Sequence, residues 1–158
     1  MTLADYLASL TARRWAPGML DCGVFMADWA IACGRPDPIA DVRGSYGSER
    51  GFLRILRREG GFAASCAARL AHIGAIEVSV PSAGDFAVVL APYAVRRGKL
   101  QQRPTGAICV SPTQRAVITS DMGVVIAGEA ELSLVKVWRL AELMDSPVKP
   151  GANGQHNG

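Results

Sequence analysis

The apolar positions of this chain change period along its length. Leu3, Tyr6, Leu7 and Leu10 recur at helical spacing and predict a short amphipathic helix over 3–14, broken by Pro17 and Gly18. From Cys22 to about Cys33 the pattern becomes a nearly unbroken apolar run whose one charge is Asp28. A segment that is apolar on all sides predicts a helix buried in a core. Asp21 is suited to cap its start and Gly34 to stop it. A loop rich in Gly, Pro and Asp follows over 34–47. Ser48 then caps a second amphipathic helix to Arg58, with Phe52, Leu53, Ile55 and Leu56 inward and Arg50, Arg54 and Arg57 in solvent. Gly60 and Gly61 end it. A third helix spans about 62–72 on a stripe of Phe62, Cys66 and Leu70, with Ile73 just past its end.

After Gly74 short apolar runs replace helical spacing. They predict strands at Ile76–Val80, Phe86–Leu90, Gly106–Val110, Ala116–Ser120, Val124–Ala127 and Leu132–Leu140, joined by turns at Pro81, Ser111-Pro112 and Asp121–Gly123. Residues 91–105, which carry Arg96, Arg97, Lys99 and Arg103, read as a long polar loop. Helices first and short strands second predict an α+β fold, with N-terminal helices packed on a C-terminal antiparallel sheet. Residues 1–145 form the expected domain and 146–158 a flexible tail, since no large apolar residue follows Val148. The loop and the tail are expected to order only against partner chains.

Composition narrows the picture. A chain of 158 residues that is 49% apolar is globular and long enough for one real core. A net charge of +3 does not by itself argue for nucleic acid. Cys22, Cys33, Cys66 and Cys109 lack zinc-ligand spacing, which predicts free thiols, no metal and no cofactor. No apolar run reaches the ~18 residues of a membrane span. The N-terminus carries Asp5 and no long apolar stretch, so the expectation is synthesis in the cytoplasm without a signal peptide.

Candidate chemistry centres on Cys22. At the first position of a helix a thiol faces unpaired N–H groups and the positive end of the helix dipole, and both favour thiolate. A nucleophile position and a small buried filler are both compatible with this placement. His72 falls at the polar end of its helix and reads as a surface histidine.

Several motifs occur in the order found in the papain-like cell-wall peptidases of the NlpC type. They are Asp21-Cys22-Gly23-Val24-Phe25, Pro81 with Gly84-Asp85-Phe86, Thr105-Gly106-Ala107-Ile108-Cys109-Val110, and Val117-Ile118-Thr119-Ser120. The chain resembles that superfamily over residues 15–139. More narrowly it is similar to a phage and prophage tail-associated subgroup, through Trp15, Phe25–Trp29, the Arg43–Tyr46 loop, Gly60-Gly61 and Trp138-Arg139. The resemblance implies a papain-like fold, Cys22 at the nucleophile position, a place in the virion tail, and partners among hub, distal tail or fibre components and peptidoglycan. It also exposes a departure. The base position carries Thr105 and the third polar position Thr119, and a hydroxyl cannot exchange protons near neutral pH. The expectation is a catalytically degenerate tail-tip or tail-assembly component. The alternatives are an active cysteine endopeptidase or amidase, taking its base from His72, a partner chain or Asp121, and a binder that uses the basic residues at 96–103.

Overall fold

The computed structural model describes residues 1–142. Four α-helices precede six strands: α1 Leu3–Ser9, α2 Cys22–Ala32, α3 Glu49–Arg58, α4 Phe62–His72, then β1 Ala75–Val78, β2 Phe86–Arg96, β3 Lys99–Cys109, β4 Gln114–Thr119, β5 Gly123–Gly128 and β6 Ser133–Leu140. The strands form one antiparallel sheet in the order β1-β6-β2-β3-β4-β5. The α+β layout thus agrees with the sequence pattern. The expected tail lies outside the described residues.

Caps explain the helix starts. Thr2, Asp21 and Ser48 each accept a hydrogen bond from the backbone N–H three residues on. The first helix is shorter than its apolar stripe suggested, because Leu10–Ala12 tighten into a 3₁₀ turn.

Helices cover one face of the sheet. Phe25, Met26 and Trp29 of α2 pack with Tyr6, Leu70, Phe86, Val88, Ile108 and Trp138. Buried polar groups there are paired. The Tyr6 hydroxyl donates to the Phe25 carbonyl at 2.5 Å, and the Trp29 indole donates to the Gly84 carbonyl at 2.9 Å. The opposite face carries a smaller cluster of Ala87, Val89, Ala107, Cys109 and Val137, closed by Leu132. Alternation along β2 and β3 supplies both faces from the same strands.

The principal correction concerns residues 91–105. They are not a loop. Arg96 pairs with Lys99 across a two-residue turn, and the β2–β3 pairing runs from there to Phe86↔Ile108. Arg97 (φ 52°) and Gly98 (φ 72°) both adopt positive φ, as a type I′ hairpin turn requires. β6 leaves β2 at Leu90, and β4 pairs β3 only at Ile108 and Cys109. The outer part of the hairpin therefore projects past the sheet as a two-stranded arm. A second correction concerns α3, where Leu53 does not face inward but is 45% exposed. No residue of that helix is fully buried.

Candidate functional site

Cys22 is the first residue of α2, and its cap is more than a local bond. Asp21 Oδ1 accepts from the Val24 N–H at 2.8 Å. Oδ2 accepts from the Gly18 N–H at 2.9 Å and from the Tyr46 hydroxyl at 2.6 Å. The carboxylate is buried and ties the approach to the helix, the helix itself and the 34–47 loop into one unit. Gly18 is required there. It sits at φ 78°, and a Cβ would lie 2.2 Å from the Tyr46 carbonyl oxygen. Burial, then the bond to Asp21, holds the Tyr46 phenol far above its ordinary pKa, so it acts as a fixed donor.

The first turn of α2 rests on β3 at Gly106. A Cβ at that position would lie 2.4 Å from Met26 Sδ and 2.7 Å from the Cys22 carbonyl oxygen. Only a bare backbone lets helix and strand approach this closely. The Gly106 amide also faces the Cys22 sulfur.

Cys22 borders a cavity of about 110 Å³. Trp15 and Ile118 line it, with Phe52 and Phe62 from the helices and Arg103, Pro104 and Thr105 from β3. Glu49 of α3 reaches its rim and pairs with Arg103 at 2.6 Å. Burial pushes the Cys22 thiol up to about 11, and the Gly106 amide only partly opposes this. Desolvation thus acts against the thiolate that the helix start is expected to favour.

Thr105 shares the cavity with Cys22, and its hydroxyl donates to the Arg103 carbonyl at 3.2 Å. Gly106 and Ile108 face α2, so strand alternation turns Thr105 toward the other face, with Ala107 and Cys109. Thr119 is not among the residues lining the cavity. Its hydroxyl donates to the Gly123 carbonyl at 2.8 Å and accepts from the Met122 N–H at 3.0 Å, closing the β4–β5 turn. Thr105, Thr119 and Asp121 all line a larger open groove that adjoins the cavity. His72 is exposed at the end of α4 and does not line the cavity, and His156 lies outside the described residues.

All four cysteines are free. Among the described residues no cluster of His, Cys, Asp or Glu could hold a metal ion, and no helix is long and apolar enough to cross a membrane. Sequence reading missed Tyr46 as a partner of Asp21 and missed the Glu49–Arg103 pair at the rim. Both depend on contacts between distant segments that leave no local signal.

Among the described residues these features define an α+β protein with four α-helices, a six-stranded antiparallel sheet, and a cysteine at a capped helix start beside a small cavity. The chain belongs to the family described as "Domain of unknown function (DUF6950)", whose model matches residues 1–140. No curated protein and no solved structure matches it.

Proposed function

We propose that this chain is a catalytically degenerate NlpC-like module that serves in a phage tail tip or in its assembly. One observation carries the degenerate reading: the cavity beside Cys22 offers Arg103, Pro104 and Thr105 on its β3 side and, among the described residues, no imidazole. Amide cleavage needs a thiolate to attack and a proton for the leaving nitrogen. Desolvation of the half-buried Cys22 thiol disfavours the first, and a threonine hydroxyl supplies neither. The family motifs in their order support the NlpC-like descent, and the narrower matches at Trp15, Arg43–Tyr46 and Trp138-Arg139 support the tail assignment.

The test uses the full chain with peptidoglycan stem peptides. The native protein gives no Cys22-dependent hydrolysis, and Cys22→Ala leaves incorporation into particles unchanged. Thr105→His tests the aligned base position and Pro104→His its neighbour on the α2-facing side of β3, and hydrolysis by either shows that the site lacks only its base. Turnover by the native chain that disappears in Cys22→Ala establishes the active-peptidase alternative instead. Mass spectrometry of purified particles and assembly intermediates tests the location, and absence from both rejects it.

A further inference from the structure

The charges of this molecule are unevenly compensated. Outside two elements most cations have a carboxylate, with Arg14 and Arg35 as exceptions among the described residues. Arg13 and Arg43 meet Asp28, Arg69 meets Asp41 and Glu59, Arg115 meets Glu129, and Arg139 meets Asp85. Two elements differ. Arg50, Arg54, Arg57 and Arg58 of α3 have no carboxylate partner among the described residues, and neither do Arg96, Arg97 and Lys99 at the tip of the β2–β3 arm. No acidic residue occurs from 86 to 120.

These two basic elements flank one groove of about 940 Å³. Glu49 and Leu53 of α3 form one wall, the arm from Pro92 to Arg103 the other, and the β4–β5 turn its far end. The Glu49–Arg103 pair bridges the walls, and the Arg103 guanidinium also lies 5.1 Å from the Tyr93 ring centroid. The groove lining is mixed: Glu49, Thr105, Thr119, Ser120 and Asp121 stand beside exposed apolar side chains, and of the cations without a carboxylate only Arg96 lines it, the others lying outside it on α3 and the arm tip. Leu53, Tyr93, Val95, Leu100 and Met122 line it, each between 45% and 69% exposed. Exposed apolar side chains beside charged ones are a composition found at protein interfaces. The arm itself is poorly suited to bind by adding a strand, because Pro92 and Pro104 remove N–H groups from its two strands.

We propose that this groove docks an acidic, apolar-containing polypeptide segment of a partner protein. Carboxylates of the segment meet the arginines of α3 and the arm tip, and its apolar side chains cover Leu53, Tyr93, Val95, Leu100 and Met122. Charge complementarity selects this occupant. A polyphosphate would match the cations but leave the exposed apolar side chains uncovered. The chain's own segment 143–158 carries only Asp145 against Lys149, and a second copy presents its free carboxylates among the described residues singly, at Asp5, Asp121, Glu131 and Glu142. The surface requires nothing of Cys22, so it extends the tail reading without resting on peptidase ancestry.

A random-peptide library displayed on yeast and panned against the full chain tests this. Selected peptides are expected to be enriched in Asp and Glu interspersed with Leu, Val or aromatic residues. Binding of a selected peptide should fall by about tenfold or more in Arg54→Glu/Arg57→Glu and again in Arg96→Glu/Arg97→Glu, and should weaken with added salt. Leu53→Asp should weaken it too, while unchanged thermal melting shows that the variants fold. No enrichment, enrichment without acidic residues, or binding indifferent to both charge reversals overturns the proposal. Single-stranded DNA that binds as tightly as the selected peptide and competes with it also overturns it, in favour of a general polyanion surface. None of these outcomes changes with Cys22→Ala, which separates them from the hydrolysis test.

Discussion

Helices α2 and α3 have nearly the same length, 11 and 10 residues, and each starts from a side-chain cap. They differ in everything that follows. In α2, Val24, Phe25, Met26, Ala27, Trp29 and Ala30 are all buried, and its cap carboxylate accepts three hydrogen bonds from two other segments as well as its own. In α3 no residue is fully buried, Leu53 is exposed, and its outer face carries four arginines without a carboxylate partner among the described residues. The contrast separates two jobs that local helix signals do not distinguish. One helix is an immovable part of the core that fixes Cys22 against β3. The other is held mainly through the half-buried Phe52, Ile55 and Leu56 and presents charge to the outside.

The sharpest way to break this comparison is to truncate one apolar residue on each helix. Trp29→Ala removes a buried indole and its bond to Gly84 and should cost about 3–5 kcal/mol in urea unfolding. Leu53→Ala should stay within about 0.5 kcal/mol. Comparable losses at both sites would mean that α3 belongs to the core after all.

Caps offer a smaller contrast. Asp21→Ala leaves the Gly18 and Val24 N–H groups and the Tyr46 hydroxyl without their acceptor, and should cost about 2–3 kcal/mol. Ser48→Ala removes one exposed bond to the Gly51 N–H and should cost about 1 kcal/mol. Hydrogen exchange should show that second loss confined to α3, whereas the first lowers protection across the molecule.

The smallest effect follows from the thiol. Cys22 is raised to about 11 in the folded protein, above the ordinary thiol value, so the native state holds its proton where the unfolded chain releases it. The stabilisation this gives is complete below about pH 8.5 and declines as pH rises toward 11. Urea midpoints of the native chain and Cys22→Ser should therefore converge across that window. Iodoacetamide labelling of Cys22, read by mass spectrometry, should be slow at pH 7 and accelerate at alkaline pH. Rapid labelling at neutral pH would show an activated thiolate and would revive the peptidase alternative.

Much of the architecture was legible in the chain. The apolar run after Asp21 announced a buried helix, and Ser48 with the following arginines announced an amphipathic one. The order of helices before strands announced the α+β layout. These signals are local, because caps, periodicity and turns act over a few residues. The arm at 91–105 was illegible for a physical reason. A strand shows period-two alternation only where one face is buried, and this hairpin projects beyond the sheet with both faces largely exposed. Its strand character comes from pairing across the Arg97-Gly98 turn.

Around Cys22 the division is equally clear. The sequence alone determined that the thiol stands at a capped helix start and that threonine occupies positions 105 and 119. Tertiary structure decided what those facts amount to. Whether a terminal thiol ionises depends on how much water reaches it, and Gly106, Trp15 and the walls of the cavity set that. Whether a threonine hydroxyl is available depends on which face of its strand it occupies and which carbonyl it already serves. Desolvation and strand facing arise from segments tens of residues apart, so only the folded chain fixes them.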